Sequence, residues 1–288
     1  MNDFKSRLKD YAQLFKLRLS FLVVFSAAMS YLWATHRNVD PLIIWMLSIG
    51  GFFITCASNI FNQILEIDSD KFMKRTANRP LPNNRISINE AFVLAITLGL
   101  FGLLILERIN YTCSVLGLIA MVTYVGIYTP MKRISPITII PGAIAGSLPV
   151  VIGWVAATGE INRAAVILFI IQFIWQFPHT WSIAWLLNDE YSNVGIRMLP
   201  KADGKSKSSA IIIMLSTFLI IPAGLLLYMY ETSGIHVAWI LALSGITIWY
   251  FSYKLYRNPT DKSALGLMFS CFLYLPILLI TLVIEGLL

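Results

Sequence analysis

Charge is scarce in this sequence. Asp, Glu, Lys and Arg make up 13% of its 288 residues, about half of the roughly 25% found in soluble globular domains. With 57% hydrophobic residues and a mean hydropathy of +0.73, nothing is left over for a soluble domain of any size. Cysteine is scarcer still. Cys56, Cys113 and Cys271 lie far apart inside apolar runs, so neither a disulfide framework nor a metal-ligand spacing is present, and the three read as small packing residues. Acids number 15 against 22 Lys and Arg, a net charge of +7. The basic residues sit in short loops between apolar runs, so topology explains them and no nucleic-acid partner is expected.

Long apolar runs are what the chain has in abundance. Nine of them, at 17–35, 42–64, 89–107, 111–130, 137–158, 164–187, 209–230, 234–253 and 264–284, approach the ~20 residues that a helix needs to cross ~30 Å of hydrocarbon. The first follows a basic stretch, as a signal peptide would, but its similar successors make it the first span. The connections alternate in charge. One side holds the N-terminus (Lys5, Arg7, Lys9, Lys16, Arg18), the loop after span two (Lys71, Lys74, Arg75, Arg79, Arg85) and three further basic segments around Lys132, Arg197 and Lys254. The other side keeps only Arg37, Arg108 and Arg163 of the 22 basic residues. The positive-inside rule then places the N-terminus in the cytoplasm and the C-terminus outside. The expected fold is an all-α integral membrane bundle of about nine transmembrane helices, one bilayer-embedded domain over residues 1–288, with polar groups at one mouth.

The loop after the second span carries the first candidate chemistry. It reads Asn59-Ile-Phe-Asn62-Gln-Ile-Leu-Glu66-Ile-Asp68-Ser-Asp70 and runs on through Met73, Arg75, Thr76 and Arg79 to Pro80-Leu81-Pro82. If the span continues as a helix, Asn62, Glu66 and Asp70 at i, i+4 and i+8 share a face, and Asp68 points elsewhere. Stacked carboxylates repel and are costly at a membrane boundary, so a bound divalent cation is a physical reason to keep them together. Hard oxygen ligands favour Mg²⁺, which commonly takes one or two carboxylates plus substrate phosphates. Arg75 and Arg79 suit bidentate phosphate contacts. Acid, metal and arginine together describe a diphosphate site. The plainer alternative is a solvated loop whose acids neutralise Lys71, Lys74 and Arg75; the register at a membrane helix end speaks against it. Asn59 is a helix-packing amide or a weaker site candidate.

The loop after the sixth span carries the second. Gln176-Phe-Pro178-His179-Thr-Trp181 ends the span, and Asn188-Asp189-Glu190-Tyr191 follows on the same membrane side as the first cluster. Asp189 and Glu190 are candidate ligands for a second metal or for the rest of the first shell, although adjacent acids cannot share one helix face. Capping of a membrane helix is the alternative. His179 is either a buried structural histidine or a group with a direct chemical role. At the end of span four, Tyr124, Tyr128 and Lys132 are again spaced i, i+4, i+8, with Arg133 next. They form an aromatic belt with positive-inside residues, or a set of phosphate contacts.

At these residues the sequence resembles the UbiA superfamily of intramembrane prenyltransferases, and within it the protoheme IX farnesyltransferase, or heme O synthase, family. The likeness covers essentially the whole chain. The superfamily pattern of an Asn with acids four and eight residues on is matched by Asn62, Glu66 and Asp70. The continuation Met73-x-Arg75-Thr76-x-x-Arg79-Pro80-Leu81-Pro82, with Tyr128-Thr-x-x-Lys132-Arg133, Pro178-His179-x-Trp181 and Asp189-x-Tyr191-x-x-x-Gly195-x-x-Met198-Leu199-Pro200, looks like the heme branch rather than the quinone or chlorophyll branches. Glu66 stands where the superfamily usually has Asp, and Asp189-Glu190 where it has two Asp spaced by three residues.

The resemblance implies a UbiA-type bundle in the cell's inner (plasma) membrane. It implies farnesyl diphosphate and heme B as substrates, the heme being no resident cofactor, and heme O and diphosphate as products. It implies Mg²⁺ held by Asn62, Glu66, Asp70, Asp189 and Glu190. Substrate contacts would come from Asn59, Asn62, Arg75, Arg79, Tyr124, Tyr128, Lys132, Arg133, His179 and Trp181. Lys132, Arg75, Arg79 and His179 would carry the catalysis, His179 by porphyrin contact or proton handling. A heme A synthase or a terminal oxidase is the implied assembly partner. Two other readings compete: a prenyltransferase for an aromatic quinone precursor, and a transporter using Glu66, Asp70 and Asp189 as an ion path. A transporter would place its charges near the bilayer midplane, whereas these gather at one end of the spans.

Overall fold

The computed structural model describes residues 2–201 and 203–287. Among them, nine helical segments are long and apolar enough to cross a bilayer, and no strand occurs. A short helix α1 (Asn2–Leu14) precedes the spans, and short helices α4 (Ile67–Asp70) and α10 (Asn188–Asn193) lie in the connections between them. The spans are α2 (Leu17–Thr35), α3 (Pro41–Leu65), α5 (Ile88–Ile109), the continuous segment Tyr111–Met131, the segment Pro136–Thr158 containing α8 (Ile139–Thr158), α9 (Arg163–Leu186), the segment Lys207–Met229, α13 (Ile235–Arg257) and α14 (Asp261–Leu287). The expected spans match these to within about a helical turn.

Local chemistry explains where the helices begin and end. Asp40 caps α3 by accepting the Leu42 N–H at 2.8 Å, with Pro41 in the first turn where its missing N–H costs nothing. Ser87 accepts the Glu90 N–H at 3.1 Å to start α5, and Asn162 accepts from Ala164 and Ala165 to start α9. Gly159 closes α8 at φ +82°, a conformation that glycine adopts without strain. The seventh span is not one straight helix. It breaks at Leu219 into α11 (Lys207–Phe218) and α12 (Ile220–Met229), where Pro222 has no N–H to give the preceding turn.

The spans pack through small residues, as expected where lipid removes the hydrophobic incentive for helices to associate. α8 is the central helix: 78% of its most apolar stretch is buried, against 22–44% for the other spans. Ser30 of α2 donates to the Val150 carbonyl of α8 at 2.6 Å, and Trp33 meets Trp154 at 4.8 Å. The closest approach is at Gly153, where a Cβ would stand 2.0 Å from the Ala27 carbonyl oxygen. Exposed Leu22, Trp45, Phe92, Leu100, Leu215 and Trp239 cover the outside of the bundle, as a lipid-facing surface requires. The chain is a multi-pass membrane protein.

Gly153→Ala is expected to push α2 away from α8 and destabilise the bundle by about 1–3 kcal/mol. Gly51→Ala, where a Cβ meets nothing within 4 Å, is expected to be neutral. Thermal unfolding of the two variants in detergent tests the contrast.

Candidate active site at one mouth of the bundle

The acids of the second span reach the site through a bend. α3 ends at Leu65, Glu66 departs from helical geometry at φ −102°, ψ 6°, and Ile67–Asp70 forms the one-turn helix α4. The i→i−4 ladder nonetheless persists, Glu66 N–H to the Asn62 carbonyl at 3.0 Å and Asp70 N–H to that of Glu66 at 2.8 Å. Asn62, Glu66 and Asp70 therefore keep their shared face and line one cavity of about 320 Å³, together with Arg75, Arg79, Tyr124, Lys132, Lys16 and Tyr191.

Charges in this cavity are paired at close range. Lys132 Nζ lies 2.9 Å from Glu66 Oε1, both side chains 12% exposed, and Arg79 Nη1 lies 2.5 Å from Asp70 Oδ2. Burial raises the Glu66 pKa, but Lys132, Lys16 and Arg79 outweigh it and hold the carboxyl below its ordinary value. Burial wins at Asp70, lifting its carboxyl above the ordinary range against the pull of Arg79. Burial also disfavours the Lys132 ammonium, yet the Tyr128 oxygen and the Glu66 carboxylate keep it above the usual lysine value. Lys16 is pulled down to about 7 by burial and by nearby Arg79.

The fourth span changes its winding where it meets the site. α6 (Tyr111–Val122) gives way to a π-helix over Thr123–Tyr128, ending in the single turn α7 (Thr129–Met131), a local irregularity that often marks functional positions. Tyr124 and Tyr128 stack with centroids 5.4 Å apart, Lys132 Nζ stands 4.5 Å above the Tyr128 ring, and Thr129 Oγ1 accepts the Asn62 amide at 3.2 Å.

A second, apolar chamber of about 350 Å³ adjoins the charged one. Leu19 and Tyr124 line both. Its walls include Leu22, Val23, Tyr128, Trp175, His179 and Phe272. His179 stacks on Trp175 at 4.4 Å and meets Phe272 edge-on at 5.2 Å, and its Nδ1 is buried without a hydrogen-bond partner.

A charged, phosphate-sized mouth leading into a greasy chamber suits a substrate with a polar head and an apolar tail. Known proteins share the fold. The UbiA prenyltransferase family profile matches residues 23–275. The chain belongs to the UbiA prenyltransferase family. It is 44% identical to a protoheme IX farnesyltransferase of Cytophaga hutchinsonii, covering 97% of this chain and 98% of that one. With the protoheme IX farnesyltransferase of Flavobacterium psychrophilum it shares 38% identity over 98% of this chain and 95% of the other. Among solved structures it superposes on a digeranylgeranylglyceryl phosphate synthase with a TM-score of 0.82 at 20% identity, covering 98% and 99% of the two chains. A UbiA homologue from Archaeoglobus fulgidus bound to GPP and Mg²⁺ gives 0.74 at 12% identity, covering 95% and 99%.

Within this prenyltransferase the expected site residues separate into four groups. Asn62, Glu66, Asp70, Arg75, Arg79, Tyr124 and Lys132 converge on the charged cavity, and Asn59, Tyr128 and His179 line the apolar one. Asn59 spends its amide on the Phe15 carbonyl and on Ser20 Oγ. Glu190 sits at the edge, accepting the Arg75 backbone N–H at 3.5 Å. The remaining three turn away. Asp189, a candidate ligand for a second metal or for the rest of the first shell, has an 81%-exposed carboxylate that pairs with Lys205 at 3.2 Å, which also holds Asp261. Trp181 lies in the core against Phe177 at 5.4 Å, because a residue two positions from His179 on α9 falls on another helix face. Arg133 donates to Ser69 Oγ at 3.2 Å and so braces α4 from behind.

Lys16 and Ile196 line the charged cavity although nothing in the sequence marks them as site residues, and Met73 and Tyr191, present only as parts of the family signature, line it too. Lys16 lies beside the first apolar run and is indistinguishable there from a topological charge. Among the described residues no three His, Cys, Asp or Glu converge tightly enough to hold a metal by themselves. Asn62, Glu66 and Asp70 still fit Mg²⁺, which needs few protein ligands when phosphates supply the rest, and the Oδ1 of Asp70 is buried without a partner.

Mg²⁺ with inorganic pyrophosphate is expected to raise the melting temperature of the wild type and of Asp189→Ala alike, and to leave Asp70→Ala unshifted. At a concentration of about 100 times Kd the stabilisation amounts to roughly 2.7 kcal/mol, readable by differential scanning fluorimetry in detergent.

Proposed function

We propose that this chain is a protoheme IX farnesyltransferase, converting heme B, farnesyl diphosphate and water into heme O and diphosphate. The observation that carries the reading is the junction at Leu19 and Tyr124 between the charged cavity and the apolar chamber, in a chain 44% identical over nearly its full length to a protein of that name. Diphosphate and farnesyl would lie on either side of that junction. The two Archaeoglobus structures described as bound to GPP or DMAPP with Mg²⁺ support a metal–diphosphate mouth in this fold.

In this reading Asn62, Glu66 and Asp70 hold Mg²⁺. Bound there, the metal supplies positive charge to the departing diphosphate oxygens. Arg75, Arg79 and Lys132 bind those oxygens and are aimed at the charge that develops as the C1–O bond breaks, the electrostatic effect that usually dominates. Glu66 and Asp70 keep Lys132 and Arg79 fixed and ionised beforehand. The allylic cation forms beside the faces of Tyr124 and Tyr128, which attract positive charge, in a chamber poor in water. The terminal carbon of a heme vinyl group attacks farnesyl C1, and the resulting cation next to the porphyrin ring takes up water and releases a proton, leaving a hydroxyl group. His179 and Trp175, stacked in the chamber wall, contact the porphyrin.

The basic loops and the charged mouth face the cytoplasm of a cell whose inner membrane holds the bundle, with the C-terminus outside. Heme O leaving a chamber walled by lipid-facing Leu19 and Leu22 suits handoff within the bilayer, to a heme A synthase or a terminal oxidase. The charges of this site lie at one end of the spans, which disfavours a transporter.

Membranes carrying the chain are expected to form heme O from heme B and farnesyl diphosphate only with a divalent cation, and Asp70→Ala to lose at least about 100-fold in rate, as removal of one electrostatic stabiliser commonly does. Mass spectrometry of extracted hemes reads this directly. Unaltered heme with prenylation of an added hydroxybenzoate or naphthoate would reassign the acceptor; turnover in chelator would remove the metal.

A further inference from the structure

Lys16 is positioned as carefully as any group in the charged cavity. It joins α1 to α2 in a left-handed conformation, φ 48° and ψ 54°, unusual for a side chain larger than glycine and worth a functional explanation. Two buried amides of α3 enforce the turn. Gln63 Nε2 donates to the Leu14 carbonyl at 2.6 Å and Asn59 Nδ2 to the Phe15 carbonyl at 3.2 Å, while Ser20 Oγ donates to the same Phe15 oxygen at 2.8 Å.

Asn59 and Gln63 are i, i+4 neighbours on the face of α3 beside that of Asn62 and Glu66. The helix that presents the acids thus also grips the chain that presents Lys16. Farther back, α1 is strapped down by Arg85 Nε, 2.9 and 3.1 Å from the two Asp10 oxygens, and by a hydrogen bond from Tyr11 to Glu90. Leu14 is fully buried with Ile60, Leu81 and Ile86.

The ammonium so placed donates to Asn62 Oδ1 at 2.7 Å, a neutral acceptor that Mg²⁺ would claim in the proposed site, releasing the ammonium toward the diphosphate. Lys132 and Arg79 are already matched by Glu66 and Asp70. Lys16 is in no ion pair with a described acid. A cation held at a membrane boundary against a neutral amide is an incomplete arrangement that an anionic ligand completes.

We propose that Lys16 binds a diphosphate oxygen as a fourth cation of this site, delivered by the α1 strap, with Asn59 and Gln63 as positioning residues. The inference rests on the proposed function and adds an element outside the spans to its machinery.

The test is calorimetric binding of a farnesyl thiolodiphosphate, which resists ionisation, to the full chain in detergent with Mg²⁺, beside an absorbance titration with heme B. Lys16→Ala is expected to weaken analogue binding about 10- to 100-fold, the scale of one charged hydrogen bond, with heme binding unchanged. Lys16→Arg retains most of the affinity and guards against misfolding as the cause. Gln63→Ala weakens binding in the wild-type background and adds nothing to Lys16→Ala. Unchanged analogue affinity in Lys16→Ala, or a loss confined to heme, which would point to a propionate contact, overturns the assignment of Lys16. Additive losses overturn the positioning role of Gln63. A wild-type chain that binds no analogue sinks the proposed function and this inference together.

Discussion

Two carboxylates at a membrane helix end, Asp70 buried and Glu66 largely so, set the terms for everything around them. Glu66 and Asp70 sit where an unpaired charge would be strongly destabilising, and each is matched by one cation from a different part of the chain, Lys132 from the end of span four and Arg79 from the loop after α4. These pairs tie together segments far apart in sequence. The bend at Glu66, the one-turn α4, the bracing of Ser69 by Arg133 and the π-wound end of span four bring acids and cations into register. In the proposed function the same pairs leave the mouth assembled for an incoming metal and phosphate, so little reorganisation is needed when charge develops.

The mouth is only half of the device. Behind it the bundle encloses an apolar chamber without giving up close helix packing, and it does so with small residues. Gly153 lets α8 touch the backbone of α2, and Gly102 approaches Gly50 and Ile54 on α3, so the helices pack tightly away from the chamber. Polar side chains of its wall such as Ser26, Thr55 and Ser58 bond to carbonyls of their own helices, which hides them from an apolar occupant. His179 keeps an unpartnered nitrogen. In the proposed function, chemistry and tail binding are thereby separated across a boundary formed by Leu19 and Tyr124.

Much of this was legible in the residue order because lipid enforces simple rules. A helix must be long and apolar to span, and basic loops must alternate, so the nine spans and the clustering of Lys and Arg on one side could be read directly. The face shared by Asn62, Glu66 and Asp70 was legible for the same reason, since helical periodicity survives a mild bend. Asp189, Trp181 and Arg133 could not be placed from the sequence because their types and spacing equally suit a site or its surroundings, and the choice belongs to neighbours such as Lys205, Phe177 and Ser69. Lys16 was counted with the topological charges because its role depends on a left-handed turn held from another helix.

The sequence by itself determined the membrane class, the spans, the chemical character of one mouth and the presence of acids and cations in diphosphate-binding proportions. These follow from composition and periodicity, which act locally. Tertiary structure alone decided which cation meets which acid, which candidate ligand turns to solvent, and that the turn between α1 and α2 brings Lys16 to the mouth. The physical reason is range: hydropathy and helical register are set within a turn or two, whereas an ion pair or a buried amide is satisfied by whichever group packing brings within about 3 Å, however distant along the chain.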